Sequence, residues 1–366
     1  MRRTSPYSIV AMLAAILLVV AACGEAEEPP AEDPAAAPEA DEEPAPPEEE
    51  EEPEAPEEEE AEAVDFPTED ITLITRGSPG GGHDTFTRAM APMLEEELGV
   101  TVIVENMTGG AGVVAAEHMR TIEPDGHVIH LMDPVGLLGN AIAEDEDFDF
   151  DSDFDFVFLG TVTQRPTSFA VAADSDIETW DQFIELIETG EARWSHTGLG
   201  STHAYNTMIV FDELGLPDPV FVPHEGSAEV FTALARGDGD FTVLAIDSVA
   251  DAVDEGDVRA LLYFGGEPMD LLPDAQRGED VGIGHFDGVL VSSLALVAPP
   301  GTPEPVAEVL REAVESVFFS DELAEWGEEA DRLVVPLSAA DTETQLRSVV
   351  ELYQSYRDVI APLVEQ

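Results

Sequence analysis

The feature that most constrains the fold is a repeated unit of strand, glycine-rich turn and helix that begins near Asp70. The run Ile71–Thr75 is apolar and β-branched and ends in "RGSPGGGHD". The next stretch sets Phe86, Met90, Met93, Leu94 and Leu98 on one helical face, with Pro92 expected to kink the helix and Gly99 to stop it. The unit recurs as strand 100–104, turn "NMTGGAG" and a helix to Met119, then as strand 127–131 and turn "DPVG". A second series follows "FDFDSDFDFVFLGTVTQRPTSFAVAA": helix 180–187, strand 192–196, loop "TGLGSTH" and helix 203–214. Strand 220–222, turn "PHEGS", helix 228–236, strand 241–246 and a helix opening at Asp247 complete it. Helix starts fall on Ser, Thr, Asp or Gly clusters, and Gly215 and Gly237 mark two stops. This succession predicts a mostly parallel α/β sheet, and two series predict two lobes. The tail beyond Leu294, with a long helix near 342–363, lacks further units and is expected to pack back onto one lobe.

The chain ahead of this pattern is different in kind. Arg2 and Arg3 precede an apolar run over 9–20 and then small residues, so 1–22 read as a signal peptide. The run is too short for a span, which needs ~20 apolar residues. Val20-Ala21-Ala22-Cys23 resembles the bacterial lipobox, which implies that Cys23 becomes the lipid-modified first residue of a membrane-anchored, extracytoplasmic protein. Cys23 is the single cysteine, so neither a disulfide framework nor a cysteine metal site is available. Residues 23–65 are almost only Glu, Asp, Pro and Ala and read as a disordered, extended tether. Such a tether reaches on the order of 100 Å.

Of 80 acids and 14 bases in the chain, 21 acids lie in the tether and two arginines in the leader, leaving about −47 on the rest. There is no lysine. This composition suits folding in high salt, a halophilic setting, where screening is short-ranged. It disfavours nucleic acid and anionic membrane surfaces as partners. An anionic ligand would have to be captured by local dipoles against the global field.

The set "ITLITRGSPGGGHDTFTRAMAPMLEEELGVTVIVEN", "GGAGVVAAEHMRTIEPDGH", "VPHEGSAEVFTALARGDGDFTV" and "LALVAPPGTPEPVAEVLREAV" resembles the substrate-binding receptors of tripartite tricarboxylate transporters, the Bug-type receptors. The resemblance implies an α/β, two-lobed periplasmic-binding-protein fold of type II with a ligand cleft between the lobes. Lobe 1 would comprise 66–165, lobe 2 166–290, and 291–366 would return to lobe 1. It further implies a monomeric receptor, not an enzyme, with no cofactor. That receptor would close on a small organic carboxylate and deliver it to the membrane subunits of the transporter.

In such receptors loops at strand ends hold the carboxylate through backbone N–H groups, hydroxyls and bridging waters. Ser78, Gly80, Gly81 and Gly82 can bring bare backbone to an oxyanion, and Asp84 is placed to cap the helix, so that no basic side chain is needed. His83 stands where the family commonly has Thr, and reads as a ligand donor or a pH-sensitive gate. Thr197, Gly198, Gly200, Ser201, Thr202 and His203 would form the opposing jaw; the bland reading is a Ser/Thr helix cap. Gly226 and Ser227 match a family turn, but Glu225 adds a carboxylate that would repel an anion or recognise an ammonium group. Asp247 reads as a cap or a cleft contact, and Arg165 as a surface ion pair or a partner for a second ligand carboxylate. Gly110-x-Gly112-x-x-Ala115 with Asp133 fits a dinucleotide fingerprint on spacing alone, so an extracytoplasmic enzyme stays as the alternative, alongside a sensor receptor. His83, His196, His203 and His224 fall at element ends without metal-ligand spacing, and no metal is expected.

Overall fold

A computed structural model describes residues 64–224 and 226–364. The leader, Cys23, Glu225 and the tether up to residue 63 lie outside them. The opening unit forms as its pattern requires: strand β1 (Ile71–Thr75) turns into the Gly82–Leu98 helix, which keeps Pro92 inside it and ends at Gly99 with φ 72°. The later strands are β2 (Val102–Asn106), β3 (Val128–Met132), β4 (Val157–Ala172), β5 (Arg193–His196) and β6 (Val220–Pro223). Then come β7 (Phe241–Ala245), β8 (Val258–Tyr263), β9 (Gln276–Arg277) and β10 (Val291–Ala298).

Two parallel sets, β2-β1-β3 and β7-β5-β6, carry the two lobes. They are joined by long antiparallel strands, so the sheet is mixed rather than mostly parallel. β4 has 16 residues. At ~3.3 Å per residue it extends about 50 Å, enough for one strand to serve both lobes. Residues 157–166 of β4 pair with β10, whereas 167–172 pair with β7 and β8. The ladder changes partner at Pro166, where a missing N–H costs least. β4 is buried along almost its whole length, so it shows no two-residue alternation in the sequence.

The first lobe packs Phe86, Leu310 and Val314, from the Gly82–Leu98 and Glu304–Phe318 helices, against Leu73 and Leu294. In the second lobe Val230, Leu234 and Val249 pack beneath Leu244 of β7. β10 and the Glu304–Phe318 helix return to the first lobe. The helix expected over 342–363 divides at Tyr356 into Ala339–Ser355 and Arg357–Val364. Both pieces pack on the Pro134–Glu144 helix after β3, and the second also touches the Thr202–Leu214 helix after β5, so the tail straps both lobes instead of one. Among the described residues no helix is long and apolar enough to cross a membrane.

Candidate functional site

The turns that follow β1, β3, β5, β6 and β7 meet around one cavity of about 330 Å³. Five helices of nine or more residues present their first turns to it. These are Gly82–Leu98 through Gly82 and His83, Pro134–Glu144 through Gly136, Thr202–Leu214 through Thr202 and His203, Ser227–Arg236 through Ser227, and Ile246–Asp254 through Ser248. Each helix start carries unpaired N–H groups and roughly half a positive charge. These helix starts, with Arg76 and Arg165 on the wall, favour an anion in the cavity of an otherwise acidic protein.

The first jaw is organised by a residue that no sequence feature singles out. Arg76, the residue after β1, donates from Nε to His83 Nε2 at 2.9 Å, from Nη1 to Ala111 O at 2.6 Å, and from Nη2 to Asp133 Oδ2 at 3.2 Å. One guanidinium thus ties three loops. Its stem runs along Gly112, where a Cβ would come within 2.8 Å of Arg76 Cδ and where φ is 106°. Both facts require glycine there. Because His83 Nε2 accepts a hydrogen bond, the imidazole carries its proton on Nδ1. Burial, with Arg76 and Arg165 nearby, pushes its pKa well below the ordinary value. A ring held neutral in this way is not a gate near pH 6.5.

Gly82 apart, the other expected first-loop residues lie away from the cavity or are turned from it. Ser78, Gly80 and Gly81 lie outside the cavity wall. Asp84 is buried and turned inward: it accepts from Gly80 N at 2.8 Å, Arg88 Nε at 2.9 Å and Asn106 Nδ2 at 2.8 Å. The Arg88 bond chiefly lowers its pKa to about 2. The helix N-cap is Gly81, so Asp84 binds backbone from inside the first turn rather than capping it.

In the second jaw Thr197, Gly200, Ser201, Thr202 and His203 line the cavity, while Gly198 faces a neighbouring depression. Two hydroxyls expected to meet a ligand are already engaged. Ser201 donates to Gly198 O at 2.8 Å and accepts from Ala204 N at 3.3 Å as the helix cap. Thr202 donates across to Asp133 Oδ2 at 3.1 Å. Asn140 Nδ2 bonds Gly200 O at 3.0 Å, and Tyr205 Oη bonds Asn140 Oδ1 at 2.8 Å, so the jaws touch directly. Thr167 Oγ1 accepts from Asn206 Nδ2 at 2.8 Å and lies 3.4 Å from His203 Nδ1. Burial, then Arg165 and Arg76, hold His203 at a pKa of about 3. Thr197, Ser227 and Ser248 face the cavity with hydroxyls that bond no described residue.

At the floor Arg165, on β4, is 6% exposed and not a surface group. Its Nε has no hydrogen-bond partner, and its Nη1 stands 3.7 Å from Asp247 Oδ2. Asp247 lies behind the wall, accepts from Ser248 N at 3.0 Å, and is not the helix cap, which is Ala245. Gly226 and Ser227 line the wall beside it.

Asp133 is bonded to Arg76, Thr202 and Gly136 N, so the acid that a dinucleotide ribose would require is already occupied. Of the four histidines at element ends, only His83 and His203 reach the cavity. Elsewhere Glu69, Asp125 and His127 cluster at metal-ligand separations. His127 Nε2 accepts from Thr68 N at 3.1 Å, however, which places the proton on Nδ1 toward Asp125 and leaves no lone pair for an ion.

A mixed α/β sheet with two lobes and a cavity between the ends of their strands defines the type II periplasmic-binding class of solute-binding proteins. The sequence profile of the "Tripartite tricarboxylate transporter family receptor" matches residues 86–349, and the chain belongs to that family. A relative from Bordetella pertussis, a protein of the UPF0065 group, is 26% identical over 268 residues, covering 73% of this chain and 81% of its own length. MatC from Rhodopseudomonas palustris, solved with bound malate, superposes with a TM-score of 0.66 at 24% identity, over 81% of this chain and 100% of its own. R. palustris Rpa4515, solved with adipate, gives 0.69 at 20% identity, over 81% and 98%.

Proposed function

We propose that this protein is an extracytoplasmic receptor that closes on a small organic carboxylate and passes it to the membrane subunits of a tripartite transporter. The observation that carries the reading is the convergence of five helix N-termini, drawn from both lobes, on one cavity. Malate and adipate, bound by the two structural relatives, belong to the same chemical class. In this reading lobe 1 takes 66–165 with the returning 291–366, whose last helix also touches lobe 2, lobe 2 takes 166–290, and the hinge lies where β4 changes partner. Gly82, His83, Thr197, Gly200, Ser201, Thr202, His203, Gly226 and Ser227 form the binding wall, of which Thr197 and Ser227 offer free hydroxyls. A lipid on Cys23 would anchor the receptor, and the acidic tether would let it reach its transporter.

A thermal-shift screen in molar salt tests this. An acid present at a hundred times its Kd stabilises by about 2.7 kcal/mol, which is a rise of roughly 5 °C for a domain of this size. Aliphatic carboxylates should give such shifts and NAD none. Stabilisation by NAD, with no response to any carboxylate, would overturn the proposal in favour of the dinucleotide enzyme.

A further inference from the structure

We propose that Arg165 is the specificity-determining residue of the cleft: it takes one carboxylate of a ligand that carries at least two, as a direct ion pair, and the cleft so completed discriminates against ligands bearing an ammonium group. This rests on the carboxylate-receptor reading and deepens it.

The two guanidinium groups of the cleft are in opposite states. Arg76 is spent on the protein, with bonds to His83, Ala111 and Asp133. Arg165 is 6% exposed and lines the cavity, and its guanidinium donates no hydrogen bond to a described residue. Its one ionic neighbour, Asp247, is 3.7 Å away, beyond hydrogen-bond reach. A guanidinium has five donors in a rigid fork, and a buried one left unpaired is rare unless a ligand completes it. The fork matches a carboxylate, which can accept two parallel bonds from it.

A single carboxylate does not exhaust the site. The helix starts and the open hydroxyls of Thr197, Ser227 and Ser248 suffice to hold one carboxylate without side-chain charge. Were that group alone to bind, Arg165 would stay unpaired. A second carboxylate removes the deficit.

The acidic groups decide against an ammonium. Asp133 accepts from Arg76, Thr202 and Gly136 N, and Asp247 from Ser248 N while facing Arg165. Asp133, the one carboxylate among the described lining residues, is therefore already paired, and Asp247 lies behind the wall. An ammonium there would meet Arg165 and five helix N-termini, with no described carboxylate left unpaired on the wall to receive it. Among the described lining residues Leu244 is the one large apolar side chain and none is Phe, Tyr or Trp, so an aryl ring finds no slot. The ligand class that fits is an aliphatic diacid, with hydroxyl substituents tolerated by the polar wall.

Calorimetric titration of the full chain in molar salt tests the proposal. Diacids of three to six carbons, and citrate, are each compared with the monoacid and the amino diacid of equal length. The best diacid should bind about 30-fold or more tighter than its monoacid and amino counterparts. Arg165→Gln should weaken it roughly 100-fold while leaving the monoacid within about threefold, so that the two converge. Arg165→Lys, which keeps charge but not the fork, should fall between, and serves if Arg165→Gln does not fold. The ratio of diacid to monoacid affinity is the readout, because a purely structural role would lower both. Unchanged diacid affinity in Arg165→Gln, or a wild-type chain that binds the monoacid or the amino diacid as tightly as the diacid, overturns the proposal while the receptor reading stands. A wild-type chain that binds no acid at all refutes both.

Discussion

Replacing Arg76 and Asp133, singly and together, should show that one buried pair organises the first jaw. The closest approach is 3.2 Å, with side-chain exposures of 20% and 6%. At an effective dielectric of about 20, unit charges at that distance attract by roughly 5 kcal/mol, and desolvation of two largely buried ions takes back more than half, leaving about 2 kcal/mol. Arg76→Met keeps the stem beside Gly112 but loses three hydrogen bonds, and should cost about 3 kcal/mol. Asp133→Asn keeps an acceptor for Gly136 N and Thr202 and should cost about 2 kcal/mol. The double variant should then cost about 3 rather than 5 kcal/mol, because once the partner is gone the second change removes little. Urea unfolding in molar salt, followed by tryptophan fluorescence, measures all four proteins. Costs that add to within about 0.5 kcal/mol would mean that the two groups do not interact, and the account of the jaw would be wrong.

Two further perturbations follow from packing and from titration. In Gly139→Ala the new Cβ would sit 2.3 Å from the Tyr205 ring and 3.1 Å from Tyr353. Overpacking of about 1–3 kcal/mol should outweigh the ~1 kcal/mol gain in helix propensity, lowering Tm by a few degrees in calorimetry; a raised Tm refutes the close packing. Burial holds His130 at a pKa of about 4, against an ordinary value near 6.5, so between these values the unfolded chain binds the extra proton. Stability from this ring is complete above pH 6.5 and is lost as pH falls toward 4, by on the order of 2 kcal/mol at pH 4.5. Asp84, at about 2, contributes nothing in that window. His83 and His203, also lowered by burial, add slopes of the same sign, so His130→Gln should reduce the pH 7 to 4.5 slope by this ring's share without abolishing it, and an unchanged slope would show that this ring does not contribute.

The elements legible in the sequence are those whose information is local. The β1 turn, the Gly99 stop and the Ser201 cap each follow from a few neighbouring residues, and the structure has them. β4 was not legible as the common strand, because burial on both faces removes the alternation that marks a half-exposed strand. The two arginines show the same limit at the site. In a chain with so many acids an arginine reads first as a surface partner, and nothing near Arg76 or Arg165 in the sequence reveals which loops the fold brings to them. The one local signal for Arg165 is its isolation as a lone charge within the run "VTQRPTSFAVAA". Asp84 and Asp247 read as caps from their position at a helix start, yet Asp84 bonds Asn106, remote in sequence, and Asp247 accepts from the backbone of Ser248 behind the wall. His83 is explained only by Arg76, whose bond fixes its tautomer.

The acidic surface and the anion-favouring cleft separate the kinetics of capture from its equilibrium. An anion approaching a chain of net charge −66 is repelled over a Debye length, about 10 Å at 0.1 M salt and 3 Å at 1 M. Inside the cavity the opposing groups are fixed helix dipoles and an arginine 6% exposed, which mobile ions screen far less. Raising salt therefore lowers the barrier to entry while leaving the bound contacts nearly as strong. For the diacid identified by calorimetry, kon should rise by about tenfold or more between 0.1 M and 1 M salt, with koff changing less than about threefold, the reverse of the salt dependence that attractive steering produces. Stopped-flow fluorescence on the full chain, at salt concentrations where its folding is confirmed by circular dichroism, measures both rates. A kon that falls with salt would mean that the positive potential of the cleft extends past the acidic surface, and the separation argued from the buried Arg165 would fail.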